Sequence, residues 1–340
     1  MHSTRRNFVL GTGFTLMAAS PLLRAQTSQR MKFTLDWARQ GPNAYIDMGK
    51  EMSFFKDAGV DITIDRGFGS GRVPTDVAGG AYDMGQADIG PVIKFMAQNP
   101  DSDLVIVGIW GDRSLMAVTV RADGTIKTPK DLEGKTLAAP ESDAGRQLFP
   151  AFAKAAGVDL SKINWLTVSS ELREPMLIQK RADGITGAFT STSMSLKAIG
   201  LDVPQQRAMF YRDFGVDLLG YCYVTTRKFL KANPDTVRGT LKGLYRSLVY
   251  ANGHRSEAIA ILRKVEPLTD VAIETQRQDI AFDEHMISPT SKSSGLSVVD
   301  PARFQRVLRT VEEAYGLTPK LTVAGVYDAS FLPPLVDRKL

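Results

Sequence analysis

The sequence predicts an α/β protein made of two successive strand and helix cycles followed by a helical C-terminal third. Three features lead there. From Met31 short apolar runs alternate with amphipathic stretches, the alternation starts afresh after Ala122, and from residue 234 onward the apolar spacing is mostly that of helices.

In chain order, MKFTLDWA reads as a strand and NAYIDMGKEMSFFKDAG as one helix closed by Gly59, a residue that tolerates the left-handed turn ending a helix. VDITIDRG alternates with period two, as a half-buried strand does. The glycine-rich segment after it opens a helix near Pro74, whose fixed φ suits a first helical position, and Gly79-Gly80 closes that helix. YDMGQADIG is a short strand and its exit, a helix runs to about Gln98, and DLVIVGIWG and LMAVTVRA are two further strands. In the second cycle TPKDLEGKTLAAPESDAGRQLFPAFAKAAG gives a short helix, a strand, a loop and a long helix. NWLTVS is then a strand, REPMLIQKRAD a helix and GITGAFTS a strand. LLGYCYVTT is the last strand, and residues 234–264, 270–285 and 300–315 are helices. Two lobes follow from this pattern: residues 26–120 with 222–340, and residues 121–221, the helical tail packing back on the first.

At 43% hydrophobic and 23% charged residues, 340 residues suffice for one or two globular domains with sizeable cores. The net charge of +5 includes Arg5, Arg6 and Arg24, in a segment without Asp or Glu; removing residues 1–25 leaves +2. That excess is too small to suggest nucleic acid, and no Lys/Arg stripe is interleaved with aromatics. The N-terminus, STRRNFVLGTGFTLMAASPLLRAQ, has a basic start and a 16-residue apolar run from Phe8 to Leu23. The run is short of the roughly 20 residues that span a bilayer and fits a secretory leader cleaved near Ala25, with Leu23 a poor match to the usual small residue. Ser3 to Val9 resembles a twin-arginine export signal. No Cys follows the run to carry a lipid, so a soluble, periplasmic protein is expected. Cys222 is the sole cysteine, which excludes an intramolecular disulfide, and its apolar setting marks a buried structural thiol.

Ligands of open α/β sheets bind beyond the carboxyl ends of the strands, where loops enter helix N-termini. Four loops qualify: Trp37 to Asn43, Gly67 to Arg72, Gln86 to Gly90 (which holds Asp88), and Pro140 to Arg146. Gly69-Ser70-Gly71 is open between a tight strand-to-helix turn and a close backbone approach to an anionic or strongly accepting ligand, with the Ser70 hydroxyl and the Arg72 charge alongside. Ser142 and Asp143 form a matching donor set or cap the next helix. Trp37 offers its face to a planar or cationic group or belongs to the core. Phe189-Thr190-Ser191-Thr192-Ser193 reads as a strand exit rich in hydroxyl donors, or as surface loop.

Catalytic patterns mostly fail. EGKT at 133–136 lacks the earlier glycine of a phosphate-binding loop, because position 129 is Pro129, and it precedes a strand. His254 and His285 lie 31 residues apart without a second ligand at metal spacing. GFGSG departs from the dinucleotide pattern at Arg72, and no G-x-S-x-G elbow has a fitting His and Asp order. Asp36, Asp83 and Asp88 are candidates for a carboxylate pair, but Asp83 is out of phase with its strand's inner face.

The segments LDW, MGKEMSFFKDAGVDITI, GSG, DVAGGAYDMGQAD, LEGKTLAAP and FLKANPDTVRGTLKGLYRSLVYA, in this order within residues 31–315, resemble the substrate-binding proteins of ABC importers in the thiamine-pyrimidine-precursor, sulfonate and nitrate group. The resemblance implies a type II periplasmic binding protein fold: two α/β lobes joined by two crossover strands, closing on a small molecule and presenting it to the permease transmembrane subunits. It implies that Trp37 stacks on the ligand, that Gly69, Ser70, Gly71, Arg72 and the Asp88 loop form the first-lobe wall, and that Ser142, Gly145, Arg146, Phe189, Thr190 and Ser191 form the second. Hinge closure is expected near Val120 and Tyr221, with Tyr221 also a ligand contact. Members that bind pyrimidine precursors carry an Asn-x-x-His turn after the Trp, and Asn43 stands here at the His position. Arg72 and Arg146 favour a carboxylate or sulfonate, which a guanidinium pairs in a fork; an aromatic N-heterocycle is the other ligand class. A monomer without cofactor, metal or catalytic residue is expected. Some eukaryotic relatives are single-turnover pyrimidine-forming enzymes, but this chain lacks their cysteine cluster and the His after the Trp. A ligand-presenting partner of a sensor uses the same fold and stays open.

Overall fold

Among the described residues ten strands form two five-stranded mixed sheets. The computed structural model describes His2, residues 28–318 and residues 320–340; the expected leader, apart from His2, and its cleavage site lie outside the described residues. The strands are β1 (Gln29–Thr34), β2 (Val60–Asp65), β3 (Met84–Asp88), β4 (Leu104–Ile109), β5 (Met116–Arg121), β6 (Thr136–Ala139), β7 (Asn164–Thr167), β8 (Gly184–Ala188), β9 (Gln206–Phe210) and β10 (Tyr221–Thr226). Helices α1 (Ala44–Glu51), α2 (Phe54–Asp57), α3 (Val73–Ala78) and α4 (Ile89–Gln98) belong to the first cycle, and α5 (Ala144–Ala156), α6 (Arg173–Ile178) and α7 (Phe189–Ala198) to the second. The tail holds α8 (Arg227–Ala232), α9 (Pro234–Gly253), α10 (Arg255–Val265), α11 (Val271–Ile280), a π-helical turn (Ala281–Met286), α12 (Pro289–Ser294), α13 (Pro301–Ala314) and α14 (Val323–Val326).

The first sheet runs β2-β1-β3-β10-β4, with β10 antiparallel to both neighbours. Parallel pairing of Met31 with Ile62 and Phe33 with Ile64 puts the alternating apolar side chains of β1 and β2 into one core. The single helix expected over residues 43–59 breaks at Ser53, which adopts φ 61° and swings Phe55 inward against Gly243 of α9. The helix expected over 234–264 breaks at His254.

The second sheet runs β7-β6-β8-β5-β9. LMAVTVRA therefore lies in the second lobe, and Val120 pairs with Gly184 and Arg207 inside this sheet instead of marking a crossover. Strand β5 is buried, so its backbone N–H and C=O groups need partners on both edges, and β8 and β9 supply them. Strand β9, QRAMF, has no apolar alternation and was not anticipated.

The chain passes between sheets at residues 110–115 and 211–220. His285, in the π-helical turn, is wedged between the two passages: a Cβ added to Gly111 or to Gly220 would lie 1.9 Å from its ring. Its Nε2 accepts the Tyr221 backbone N–H at 3.3 Å, and its carbonyl accepts those of Asp112 and Arg113. Burial holds its pKa down at about 3, so the ring is neutral.

The tail covers the first lobe, α9 and α10 lying over α1. Helix α13 also reaches the second lobe, packing on both α4 and α5. Phe304, Val307, Leu308 and Val311 of α13 share one apolar cluster with Val92 and Ile93 of α4 and with Leu148 and Phe152 of α5. Each such buried side chain contributes about 1.5–3 kcal/mol. Among the described residues no helix is long and apolar enough to cross a membrane.

Candidate ligand-binding site

The loop after β1 is laced to the glycine-rich loop after β2: Gly67 N–H donates to the Trp37 carbonyl at 2.9 Å and Gly69 N–H to the Asp36 carbonyl at 2.8 Å. Both loops thus sit over the carboxyl end of the first sheet. Glu274 of α11 accepts the Gly41 N–H at 2.6 Å and pins the turn that carries Asn43. Beneath them Gln86 of β3 uses its whole amide. Its Nε2 donates to Asp36 Oδ1 (3.1 Å) and Asn43 Oδ1 (2.9 Å), while its Oε1 accepts from Tyr45 (2.6 Å) and Trp110 (3.1 Å). A fully committed amide fixes the orientation of both Asp36 and Asn43.

The facing wall is built on Asp143, the N-cap of α5. Its Oδ1 accepts from Arg146 N–H (2.9 Å) and Thr186 Oγ1 (3.0 Å), and its Oδ2 from Arg173 Nη1 (3.0 Å). Arg173 also donates to the Thr186 carbonyl through Nη1 (3.2 Å) and to Glu174 Oε1 through Nε (3.0 Å) and Nη2 (2.7 Å). Its guanidinium stands 4.8 Å over the Trp37 ring. From α11, Arg277 donates to the carbonyls of Thr190 and Ser191, each at 2.9 Å, and Ser191 Oγ donates to Gln40 Oε1 at 3.2 Å. The lobes are therefore held together around the site.

These walls enclose a narrow cavity of about 30 Å³. Of the residues singled out from the sequence, Trp37, Asn43, Ser70, Thr190, Ser191 and Tyr221 line it. So do Asp36, read from the sequence as a candidate for a carboxylate pair, and Asp143, read there as a donor or helix cap; Gln40, Met116 and Arg173 join them. Thr190 and Ser191 do so from the first turn of α7, which starts at Phe189, and not from a loop. Arg173 carried no signal in the sequence beyond opening a helix. Asp36 carried a usable one, a carboxylate beside an aromatic at a strand exit.

The other expected residues lie elsewhere. Arg72 is exposed, pairs with Asp76 at 3.0 Å and extends over Phe68, in a separate groove of the first lobe on the other side of the glycine loop from the cavity, lined by Lys32, Asp65 and Tyr82 as well. Arg146 turns to the Ala139 carbonyl (3.0 Å), Thr167 Oγ1 (2.9 Å) and the Trp165 ring. Both guanidinium groups find nearer partners away from the cavity, so neither supplies a fork for an anion there. Gly69, Gly71 and Ser142 meet one another across the lobes: Gly71 N–H donates to the Ser142 carbonyl at 2.9 Å, and Ser142 Oγ to the Phe68 carbonyl at 2.5 Å. A Cβ on Gly69, at φ 126°, would lie 2.4 Å from the Ser142 carbonyl oxygen, so the glycine admits the other lobe where a ligand was expected. Gly145 packs on Gly187, and Phe189 packs edge-on against Phe210. Asp88 is fully buried behind the cavity wall.

The electrostatics are those of acids short of partners. Burial raises the Asp36 pKa to about 6, against hydrogen bonds from Gln86, Tyr221 and Ser70. Asp88 rises to about 8, because burial is offset only by the Gly90 N–H and the charges of Asp36 and Asp143 lie nearby. Asp88 Oδ2 has no hydrogen-bond partner. Asp143 is also raised by burial, with Arg173 opposing.

A model of the NMT1/THI5-like family matches residues 44–258. Among solved structures, the alkanesulfonate-binding protein SsuA from Xanthomonas axonopodis pv. citri, bound to MOPS, is similar with a TM-score of 0.68 and 17% identity, over 88% of this chain and 98% of that one. The periplasmic aliphatic sulphonate binding protein SsuA from Escherichia coli gives 0.63 and 16%, over 84% and 86% of the two chains. The periplasmic nitrate-binding protein NrtA from Synechocystis PCC 6803 gives 0.67 and 12%, over 89% and 86%. No curated protein matches the chain in sequence. At these identities the likeness carries the fold, that of periplasmic binding proteins.

Proposed function

The chain belongs to the NMT1/THI5-like family, and from that premise we propose that it is the solute-binding component of an ABC importer, capturing a small molecule between its lobes and delivering it to membrane permease subunits. The carrying observation is the cavity itself, lined from both lobes and reached from neither alone. Trp37, Asn43, Ser70 and Tyr221 with Asp36 form its first wall; Thr190, Ser191, Asp143 and Arg173 form its second. Contacts that exist only when the lobes meet, such as Ser191 with Gln40 and Gly71 with Ser142, let a ligand bias opening and closing by binding the closed form better. The permease then distinguishes a closed, loaded protein from an open one. Export through the N-terminal leader and a periplasmic location complete the proposal. The structural neighbours named above are binding proteins, in keeping with a role without covalent chemistry.

The test is a thermal-shift screen of the purified protein against small charged and neutral solutes, with recovery of the bound compound. A ligand at 100 times its dissociation constant adds about 2.7 kcal/mol of stability, so a true ligand gives a saturable rise in melting temperature. Recovery of unchanged compound supports the proposal. A compound consumed during binding would replace it with an enzymatic role.

A further inference from the structure

We propose that the cavity between the lobes takes an organic cation, a planar group bearing several N–H donors such as an amidinium or guanidinium, and discriminates against oxyanions; this rests on the solute-binding reading above. The ionisable groups lining the cavity are Asp36, Asp143, Arg173 and Tyr221. Arg173 is the basic one, and four of its five N–H groups are already given to Asp143, Thr186 and Glu174. An oxyanion would find one free guanidinium N–H and no fork. Asp143 and Glu174 together outweigh Arg173 by one charge, and Asp36 has no cationic partner. The positive poles of α5 and α7, about half a charge each, oppose them.

Two further observations point the same way. Trp37 and Tyr221 line the cavity beside the carboxylates, and Trp37 already carries one cation, the Arg173 guanidinium, over its ring. Asp88, one layer behind and fully buried, has a carboxyl oxygen without a hydrogen-bond partner, so no basic group reaches the acids from that side either. The lining sets two carboxylates, Asp36 and Asp143, against one basic side chain, Arg173, and positive charge is what an amidinium brings and a sulfonate does not. The titratable groups around Asp36 are Tyr45 on α1, Asp88 at the end of β3, Tyr221 and Cys222 on β10 and, across the cavity, Asp143 before α5 and Arg173 on α6. Arg277 of α11 is matched by Glu274. Burial has lifted Asp36 to about 6, so a bound cation displaces its proton and affinity rises with pH through that value.

The experiment is calorimetric titration with four compounds that share one ring: benzamidinium, benzamide, benzoate and benzenesulfonate. The expected result is benzamidinium binding at least tenfold tighter than the other three, with affinity increasing from pH 5 to 7.5. Asp36→Asn should cut benzamidinium affinity at least tenfold and leave benzamide within threefold. If that variant does not fold, the wild-type pH series decides, and a benzamidinium affinity flat between pH 5 and 7.5 overturns the proposal. Tightest binding by benzoate or benzenesulfonate also overturns it while leaving the solute-binding reading intact. Saturable binding by none of the four overturns the proposal, and the solute screen above then decides the solute-binding reading separately.

Discussion

Arg173 lies with its guanidinium 4.8 Å above the Trp37 ring, which places a charged side chain of the second lobe on an aromatic side chain of the first. The stack exists only while the lobes are together, and Arg173 is held in place for it by Asp143 and Glu174. Trp37 emission is thus an internal gauge of closure.

Arg173→Ala leaves two buried carboxylates without their counter-charge. Breaking a buried ion pair in this way costs about 3–5 kcal/mol, and urea unfolding should register a loss of that size. A loss below about 1 kcal/mol would mean that Asp143 and Glu174 take up protons or water at little cost and that the triad is not structural.

Arg72→Ala and Arg146→Ala should change ligand affinity less than about threefold, since one surface ion pair or cation–π contact is worth about 1 kcal/mol or less and neither residue lines the cavity. Titration of the double variant checks this. A loss of a hundredfold would restore the anion-clamp role expected from the sequence.

Stability should fall as pH rises from 6.5 to 8.5. Asp88 has a folded-state pKa raised from 3.8 to about 8, so the native protein holds a proton that the unfolded chain has lost; that stabilisation is complete below about pH 4 and disappears as pH passes 8. His285 acts with the opposite sign on the acid side, its stabilisation being present above pH 6.5 and lost as pH falls toward 3. Asp88→Asn keeps an oxygen for the Gly90 N–H and should flatten the slope above pH 6.5, measured as unfolding free energy against pH. An unchanged slope would place the titrating group elsewhere.

Gly111→Ala and Gly220→Ala each drive a methyl group to within 1.9 Å of the His285 ring, which is buried and cannot withdraw. Overpacking of this kind costs about 1–3 kcal/mol. Ligand affinity should fall as well, because Tyr221 follows Gly220 and lines the cavity. Alanine variants with unaltered stability and affinity would show that the two passages are free to part from the histidine.

The two cycles were legible because β1, β2 and most of the later strands carry the period-two or all-apolar patterns that burial requires. What the pattern did not encode was sheet membership. A strand such as β5, apolar on both faces, is equally at home in either sheet, and only its pairing with β8 and β9 decides. The loops after β1 and β2 were recognisable as cleft loops by their place at strand ends. Arg72 and Arg146 misled because residue type says nothing about side-chain direction, and each had a closer partner in Asp76 or Trp165. Arg173 was invisible for the complementary reason: its partners, Asp143 and Thr186, are assembled from distant parts of the second lobe.

Helix α13 ties its apolar side chains into those of α4 and α5 at once, so the lobes share part of a single core. Domains that share a core cannot melt independently. Calorimetry should give one endotherm for the whole chain, with no separate transition for residues 116–210, and a ligand that touches both lobes should move that endotherm without splitting it.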